Sequence, residues 1–281
     1  MSTENKNTPG SHGFARYGLP LPILEALDML GYHHPTAIQQ EVIPLVLAGK
    51  NVVARSRTGT GKTAAFAVPL CEMAVWEENS PRALVLEPSR ELAVQVSREL
   101  FQIGRKKRLK VPAVFGGFPI DKQMQTLKQK SHIVVGTPGR VMDLVCRGSL
   151  QLSGITHLVI DEADLMLDMG FLEEVGEIIS LLPENRKILL FSATLEKQVQ
   201  TLIDNYAADA VFVAQDQEDG PPPSIGQAVY EVTAENKYEM FKRVLMKENP
   251  DSCMIFCGTR EMVNVLFQKL RRDRIFCGMI H

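Results

Sequence analysis

The sequence is poor in several things at once: it has one tryptophan, 6% aromatic residues, no marked excess of either charge and no paired Cys-x-x-Cys spacing. Its five cysteines, Cys71, Cys146, Cys253, Cys257 and Cys277, form an odd set. That argues against a disulfide framework and a structural zinc site, and reads as reduced thiols in a cytoplasmic protein. Cys253 and Cys257 flank the apolar run Met254-Ile255-Phe256 of an expected strand, where core packing is the expected role. No stretch approaches the ~18 apolar residues of a membrane span. Met1 to Gly10 is polar, without the apolar core of a secretion signal, so the protein is expected to be neither secreted nor membrane-spanning. A net charge of −2 gives no global attraction for a polyanion, and any such contact must come from a local surface. The six histidines show no ligand spacing.

What is present is a rhythm. Short apolar runs recur at Val52-Val53-Ala54, Ala83-Leu84-Val85-Leu86, Ile133-Val134-Val135, Leu158-Val159-Ile160, Ile188-Leu189-Leu190-Phe191 and Val211-Phe212-Val213. Segments of helical periodicity lie between them: 21–30, 36–47, 63–75, 90–101, 139–145 and 171–182. Alternation of this kind predicts an α/β fold. Continuous rather than alternating hydrophobicity suits parallel strands covered by helices on both faces. The stretch from Gln215 to Pro223 is charged and proline-rich, unable to pair as a strand, and reads as a linker. The expected division is a short N-terminal segment 1–13, a domain 14–214, the linker 215–223 and a second, incomplete domain 224–281. The last of these should carry strands at Gln227 to Val232 and Cys253 to Cys257, a helix from Lys237 to Lys247 and another from Arg260.

Two segments carry chemistry. The first run leads into Arg55-Ser56-Arg57-Thr58-Gly59-Thr60-Gly61-Lys62-Thr63 and then into a helix, the strand, glycine loop, helix order of a P-loop. Ser56, Arg57, Thr58, Gly59, Thr60 and Gly61 would wrap phosphate oxygens, Lys62 would reach the β/γ-phosphates, and the Thr63 hydroxyl would ligate Mg²⁺. Ser56 stands where the strict pattern has its first glycine. The bland alternative is a glycine-bearing turn before an ordinary helix. Further on, Leu158-Val159-Ile160 runs straight into Asp161-Glu162-Ala163-Asp164. That places carboxylates at the C-terminal end of a buried strand, the edge where α/β sheets bind ligands. Asp161 is the natural magnesium partner, directly or through water, and Glu162 the natural general base for an attacking water. The alternative is an acidic helix start favoured by the helix dipole.

The tetrapeptide Asp161-Glu162-Ala163-Asp164 resembles the motif that names the DEAD-box RNA helicases, and other segments resemble that family's motifs in order. Gly31-Tyr32-His33-His34-Pro35-Thr36-Ala37-Ile38-Gln39, with Phe14 upstream, is similar to its adenine-recognition motif. The resemblance implies that Tyr32 stacks on the base and Gln39 reads its edge, favouring ATP. Pro88, Arg90, Gly116, Gly117, Thr137, Gly139 and Arg140 fall in segments similar to the family's RNA-backbone contacts, which carry no base code. Ser192-Ala193-Thr194 resembles the motif coupling hydrolysis to duplex separation, with Asp164 as its expected partner; read alone it is a capped strand end. Met254 to Arg260 is similar to a motif early in the second domain.

The resemblance implies two RecA-like domains, parallel sheets sandwiched by helices, here one domain followed by the beginning of another. ATP and Mg²⁺ are the implied cofactors and RNA the implied partner. The run Arg105-Lys106-Lys107-Arg108-Leu109-Lys110 reads either as an extension of an RNA surface or as a solvated helix end before a strand near Val111. The family's later arginine-bearing motifs have no match, and the chain ends about where they would begin. Two expectations therefore stand together: an ATP-dependent RNA helicase that unwinds short duplexes, and a truncated, weakly active ATP- and RNA-binding fragment. A DNA translocase is the lesser third.

Overall fold

A computed structural model of the chain describes residues 13–57, 59–78, 80–214 and 226–280. The chain divides into two compact units, Met1–Asp219 and Gly220–His281.

The first unit opens with a 3₁₀ turn, Ala15–Tyr17, and continues α1 (Leu21–Met29), α2 (Ala37–Leu47), β1 (Val52–Arg55), α3 (Lys62–Met73), β2 (Ala83–Leu86) and α4 (Arg90–Gly104). After a second 3₁₀ turn, Arg105–Lys107, come β3 (Ala113–Val114), α5 (Ile120–Leu127), β4 (Ile133–Gly136), α6 (Pro138–Cys146) and β5 (His157–Ile160). The unit closes with α7 (Ala163–Asp168), α8 (Leu172–Leu181), β6 (Lys187–Ser192), α9 (Lys197–Tyr206) and β7 (Val211–Ala214). The seven strands form one sheet in the order β3-β4-β2-β5-β6-β1-β7, and every pairing is parallel.

The strands read as uninterrupted apolar runs because the pleat feeds two cores. Val52, Ala54, Val85, Ile133, Val135, Val159, Leu189 and Phe191 enter one core, beneath α1 to α4. Their neighbours Val53, Leu84, Leu86, Val134, Leu158, Ile160, Ile188 and Leu190 enter the other, beneath α6 to α9. With period two and both faces covered, nearly every position of the inner strands is buried, whereas in the edge strand β7 only Val213 is. Phe66 of α3 meets Phe191 of β6 with ring centroids 5.3 Å apart, tying the helix after β1 to the neighbouring strand. A parallel sheet also has all strand C-termini on one edge. The segments following β1, β5 and β6 are therefore adjacent on that edge, and those following β3, β4 and β2 continue it.

The basic run resolves into a helix end. Lys107 donates from Nζ to the carbonyls of Cys71, at 3.0 Å, and Glu72 at the last turn of α3, and Lys106 pairs with Glu25 of α1 at 3.1 Å.

In the second unit, α10 (Lys237–Glu248) and α11 (Arg260–Arg272) form as expected, with Thr259 capping α11 by accepting a hydrogen bond from the backbone N–H of Met262 at 3.2 Å. Tyr238 and Lys242 of α10 both donate to Asp273, at 3.1 and 3.0 Å. The strands expected at 227–232 and 253–257 do not form among the described residues. A strand exists only as half of a ladder, and among the described residues no strand pairs with either segment. For the same reason Cys253 is exposed and Cys257 only half-buried, rather than packed in a core. No helix among the described residues is long and apolar enough to cross a membrane.

Candidate active site

The loop after β1 begins by leaning on the neighbouring strand end: the N–H of Ser56 donates to the carbonyl of Ser192 at 3.0 Å. Ser56 is fully buried, and its hydroxyl lies 2.6 Å from that of Thr60, which in turn donates to the carbonyl of Arg57 at 3.0 Å. The serine thus supplies a hydroxyl brace where the strict pattern has a glycine. Thr58 lies outside the described residues. Gly59 and Gly61 have φ of +82° and +93°, a region L side chains rarely enter, and Gly61 caps α3. Thr63, half-buried, follows in the first turn of α3, where backbone N–H groups have no helical acceptors and favour an anion.

Lys62 is buried, and its ammonium lies 2.8 Å from the carboxylate of Glu162. Glu162 holds a left-handed backbone, φ +46° and ψ +51°, a conformation costing a non-glycine residue about 1 kcal/mol. Its N–H donates to Asp161 at 2.9 Å. Burial pushes the Asp161 carboxyl up to about 6, against the pull of the Lys62 ammonium and with the push of Glu162.

Asp164, two residues on, receives the backbone N–H and the hydroxyl of Thr194 at 2.8 and 3.0 Å. Its own N–H donates to the Ser192 hydroxyl at 3.3 Å. Burial raises this carboxyl, but the bonds from Thr194, Leu165 and Ser192 outweigh it and hold the group below its usual range. The structure therefore brings Lys62, Asp161 and Glu162 together, and Asp164, Ser192 and Thr194 beside them.

Gln39 sits under the phosphate loop. Its amide oxygen accepts from the N–H of Thr36 at 3.0 Å and its amide nitrogen donates to the carbonyl of Gly61 at 3.1 Å. A Cβ on Gly61 would stand 2.4 Å from that nitrogen. The glycine is thus required by this close approach as well as by its dihedrals. Tyr32 donates to Glu99 of α4 at 3.1 Å; burial, then the charge and hydrogen bond of Glu99, raise the phenol to about 12. Phe14 is wholly buried in the first core, its ring edge-on to Tyr17.

The remaining expected residues line the other half of the same edge. Pro88 is buried after β2, and Ser89 caps α4 by accepting from the Leu92 N–H at 3.2 Å. This leaves Arg90 exposed, its guanidinium 5.1 Å from the centre of the Phe115 ring. Gly116 and Gly117 are exposed after β3. Thr137 starts α6 with its N–H on the carbonyl of Val114 at 3.0 Å, Gly139 follows in the first turn, and Arg140 donates to the carbonyl of Phe118 at 3.0 Å.

Sequence reasoning missed Glu87, Glu99 and Phe115. Glu87 follows β2 as Asp161 follows β5, so the same signal, a carboxylate directly after an apolar run, was there to be read. It is fully buried, and neither carboxylate oxygen has a partner among the described residues. Burial first, then Asp161 and Glu162, push its carboxyl well above the ordinary range, with Lys62 opposing.

A doubly covered parallel sheet with a braced glycine loop, a buried lysine and carboxylates on adjacent strand ends defines the P-loop class of α/β domains. The DEAD/DEAH box helicase family model matches residues 36–202, more than half of the chain, and the chain belongs to that family. It is 50% identical over 268 residues to the ATP-dependent RNA helicase DbpA of Bacillus subtilis, covering 95% of this chain and 56% of that protein. It is 40% identical over 258 residues to the DEAD-box ATP-dependent RNA helicase CshA of Streptococcus pneumoniae, covering 92% and 49%. Among solved structures, Saccharomyces cerevisiae Dbp5 bound to RNA and ADP BeF3 is similar with a TM-score of 0.85 at 30% identity, over 96% of this chain and 69% of that one. A DEAD box protein from Methanococcus jannaschii is similar at 0.70 and 37%, over 96% and 72%. The fold is RecA-like, and the chain spans about half the length of the curated relatives it matches.

Proposed function

We propose that this chain carries the ATP-binding and ATP-hydrolysing part of an RNA helicase, which uses Mg·ATP to separate short stretches of RNA duplex. The observation that carries the reading is the convergence of Lys62, Asp161 and Glu162 on neighbouring strand ends, with Glu162 ion-paired to Lys62 at 2.8 Å. A triphosphate entering the glycine loop competes for the Lys62 ammonium. Once the pair opens, the Glu162 carboxylate is free to accept a hydrogen bond from water. The water oxygen attacks the γ-phosphorus as the bond to the β,γ-bridging oxygen breaks; Glu162 takes the proton, and ADP and phosphate result.

The donor set fits a magnesium ion held by the Thr63 hydroxyl and, through water, by Asp161; when bound it neutralises charge on the β- and γ-oxygens. Gln39, which reaches the loop through Gly61, and Tyr32 are assigned to the adenine. Arg90, Thr137, Gly139 and Arg140, with Pro88, Gly116 and Gly117, offer the cationic and close-approach surface for an RNA backbone. The bond from Thr194 to Asp164 links the carboxylate segment to the end of β6, a route by which hydrolysis could be felt in the RNA-bound state. The linker at 215–223 lies outside the described residues, and the two-domain division 14–214 and 224–281 belongs to this proposal.

ATP hydrolysis by this chain with and without RNA, beside Glu162→Gln, is the test. Turnover stimulated by RNA and at least 100-fold lower in the variant is expected, a loss typical of removing a general base. Failure of the wild-type chain to bind Mg·ATP would reject the reading. Binding with turnover no greater than that of the variant would leave a non-hydrolysing ATP- and RNA-binding chain.

A further inference from the structure

Glu87 has no place in the hydrolytic scheme above, yet it is the group in this site with the least local justification. It is completely buried at the C-terminal end of β2, with both carboxylate oxygens unpartnered among the described residues. The strand beside it is β5, whose next residue, Asp161, donates its N–H to the carbonyl of Leu86 at 3.1 Å. Glu87 therefore stands one strand away from the carboxylate segment, within electrostatic reach of Asp161, Glu162 and Lys62. The lysine is already engaged by Glu162, and Asp161 accepts the backbone N–H of Glu162. Three carboxyl groups stand within electrostatic reach of one ammonium. The two oxygens of Glu87 lack donors among the described residues, and a carboxylate buried there requires added positive charge beside it. A hydrated divalent cation supplies both, the charge from the metal and the donors from its water ligands. Among the described residues no group of three acidic, histidine or cysteine side chains lies close enough to cage an ion. Magnesium is commonly held mainly through water and substrate phosphates rather than by protein ligands alone.

Resting on the Mg·ATP reading above, we propose that Glu87 is a positioning residue for that ion, accepting hydrogen bonds from water of its inner shell alongside Asp161. Groups one shell out from a metal, when removed, weaken its binding by about 10-fold or more.

The experiment is a Mn²⁺ titration of the full chain with ATP, followed by electron paramagnetic resonance, with free ATP measured in parallel. The proteins are wild type, Glu87→Gln, which keeps size but removes charge, and Glu87→Asp, which keeps charge but withdraws the oxygens. Both variants are expected to hold Mn²⁺ in the ATP complex about 10-fold more weakly, with thermal unfolding reported beside each. A buried acid with a purely structural role predicts the opposite: Gln would leave Mn²⁺ affinity within twofold of wild type. That result overturns the proposal, and Asp decides in the same way if Gln does not fold. Wild-type chain that captures no more Mn²⁺ than free ATP does would instead sink the Mg·ATP reading itself.

Discussion

Gln39→Glu changes one atom of a side chain that bridges two structural elements. Gln39 is 5% exposed, and one end of its amide accepts from Thr36 while the other donates to Gly61 in the phosphate loop. The glutamate keeps the first bond and nearly the same volume, so no cavity complicates the result. At the second, an oxygen replaces the N–H and faces the Gly61 carbonyl, two acceptors about 3 Å apart. The lost hydrogen bond costs about 1 kcal/mol. The buried carboxylate must then either remain charged against a carbonyl or take up a proton, at about 1.4 kcal/mol for each unit its titration is displaced. A total of about 2–4 kcal/mol at pH 7.5 follows. At roughly 2–4 °C per kcal/mol for a unit of this size, the melting transition should fall by about 4–16 °C.

The sign with pH is fixed as well. The folded variant's carboxyl titrates above its unfolded value, so the native state binds the extra proton. The deficit is small below about pH 4.3, grows as pH rises and then levels off. Thermal unfolding of both proteins from pH 5 to 8, with and without ATP, measures it. A variant melting within about 1 °C of wild type at pH 7.5, a shift too small for the loss of even one hydrogen bond, would refute the bridge.

Three other outcomes are expected. Burial, then the Lys187 charge, lowers His157 from 6.5 to about 4. The unfolded chain therefore binds the extra proton between those values, and stability is lost as pH falls through them. The loss is on the order of 3 kcal/mol at most, and the pH dependence of urea unfolding should flatten over that window in His157→Gln. Cys71 is wholly buried, with its thiol raised to about 12 by burial against the pull of Lys107, whereas Cys146 and Cys253 are exposed. A thiol reagent at pH 8, followed by peptide mass mapping, should modify Cys146 and Cys253 at least 1,000-fold faster; comparable rates would contradict the burial. Phe191→Ala empties the contact with Phe66 and should cost about 3–5 kcal/mol in denaturant unfolding, a loss too large to be missed if the ring is packed as described.

Much of the first unit was legible because its strands are buried on both faces, which makes each an unbroken apolar word such as Leu158-Val159-Ile160. The loop from Ser56 to Thr63 and the carboxylates after β5 were legible because local order, strand then loop then helix, is itself the signal. β3 was legible only as a strand near Val111 without bounds, since two residues carry no period. α5 was overlooked although Ile120, Met124 and Leu127 repeat at helical spacing. The ion pair of Lys62 with Glu162 joins residues far apart in sequence, so only the strand order brings it into view. In the second unit, the runs at 227–232 and 253–257 have strand composition, but composition confers only the capacity to pair; the ladder depends on what lies alongside.

The single parallel edge of the sheet has one more consequence. Neighbouring strands stand about 4.8 Å apart, and β2 and β5 are joined in register over four residue pairs. Glu87 and Pro88 thus mark the seam between the phosphate half of the edge and the half proposed to face RNA. The two halves cannot slide past one another without tearing that ladder. Whatever one ligand tells the other across this domain must travel as electric field or as the redirection of loops and helix ends. The sheet itself serves as a fixed ruler.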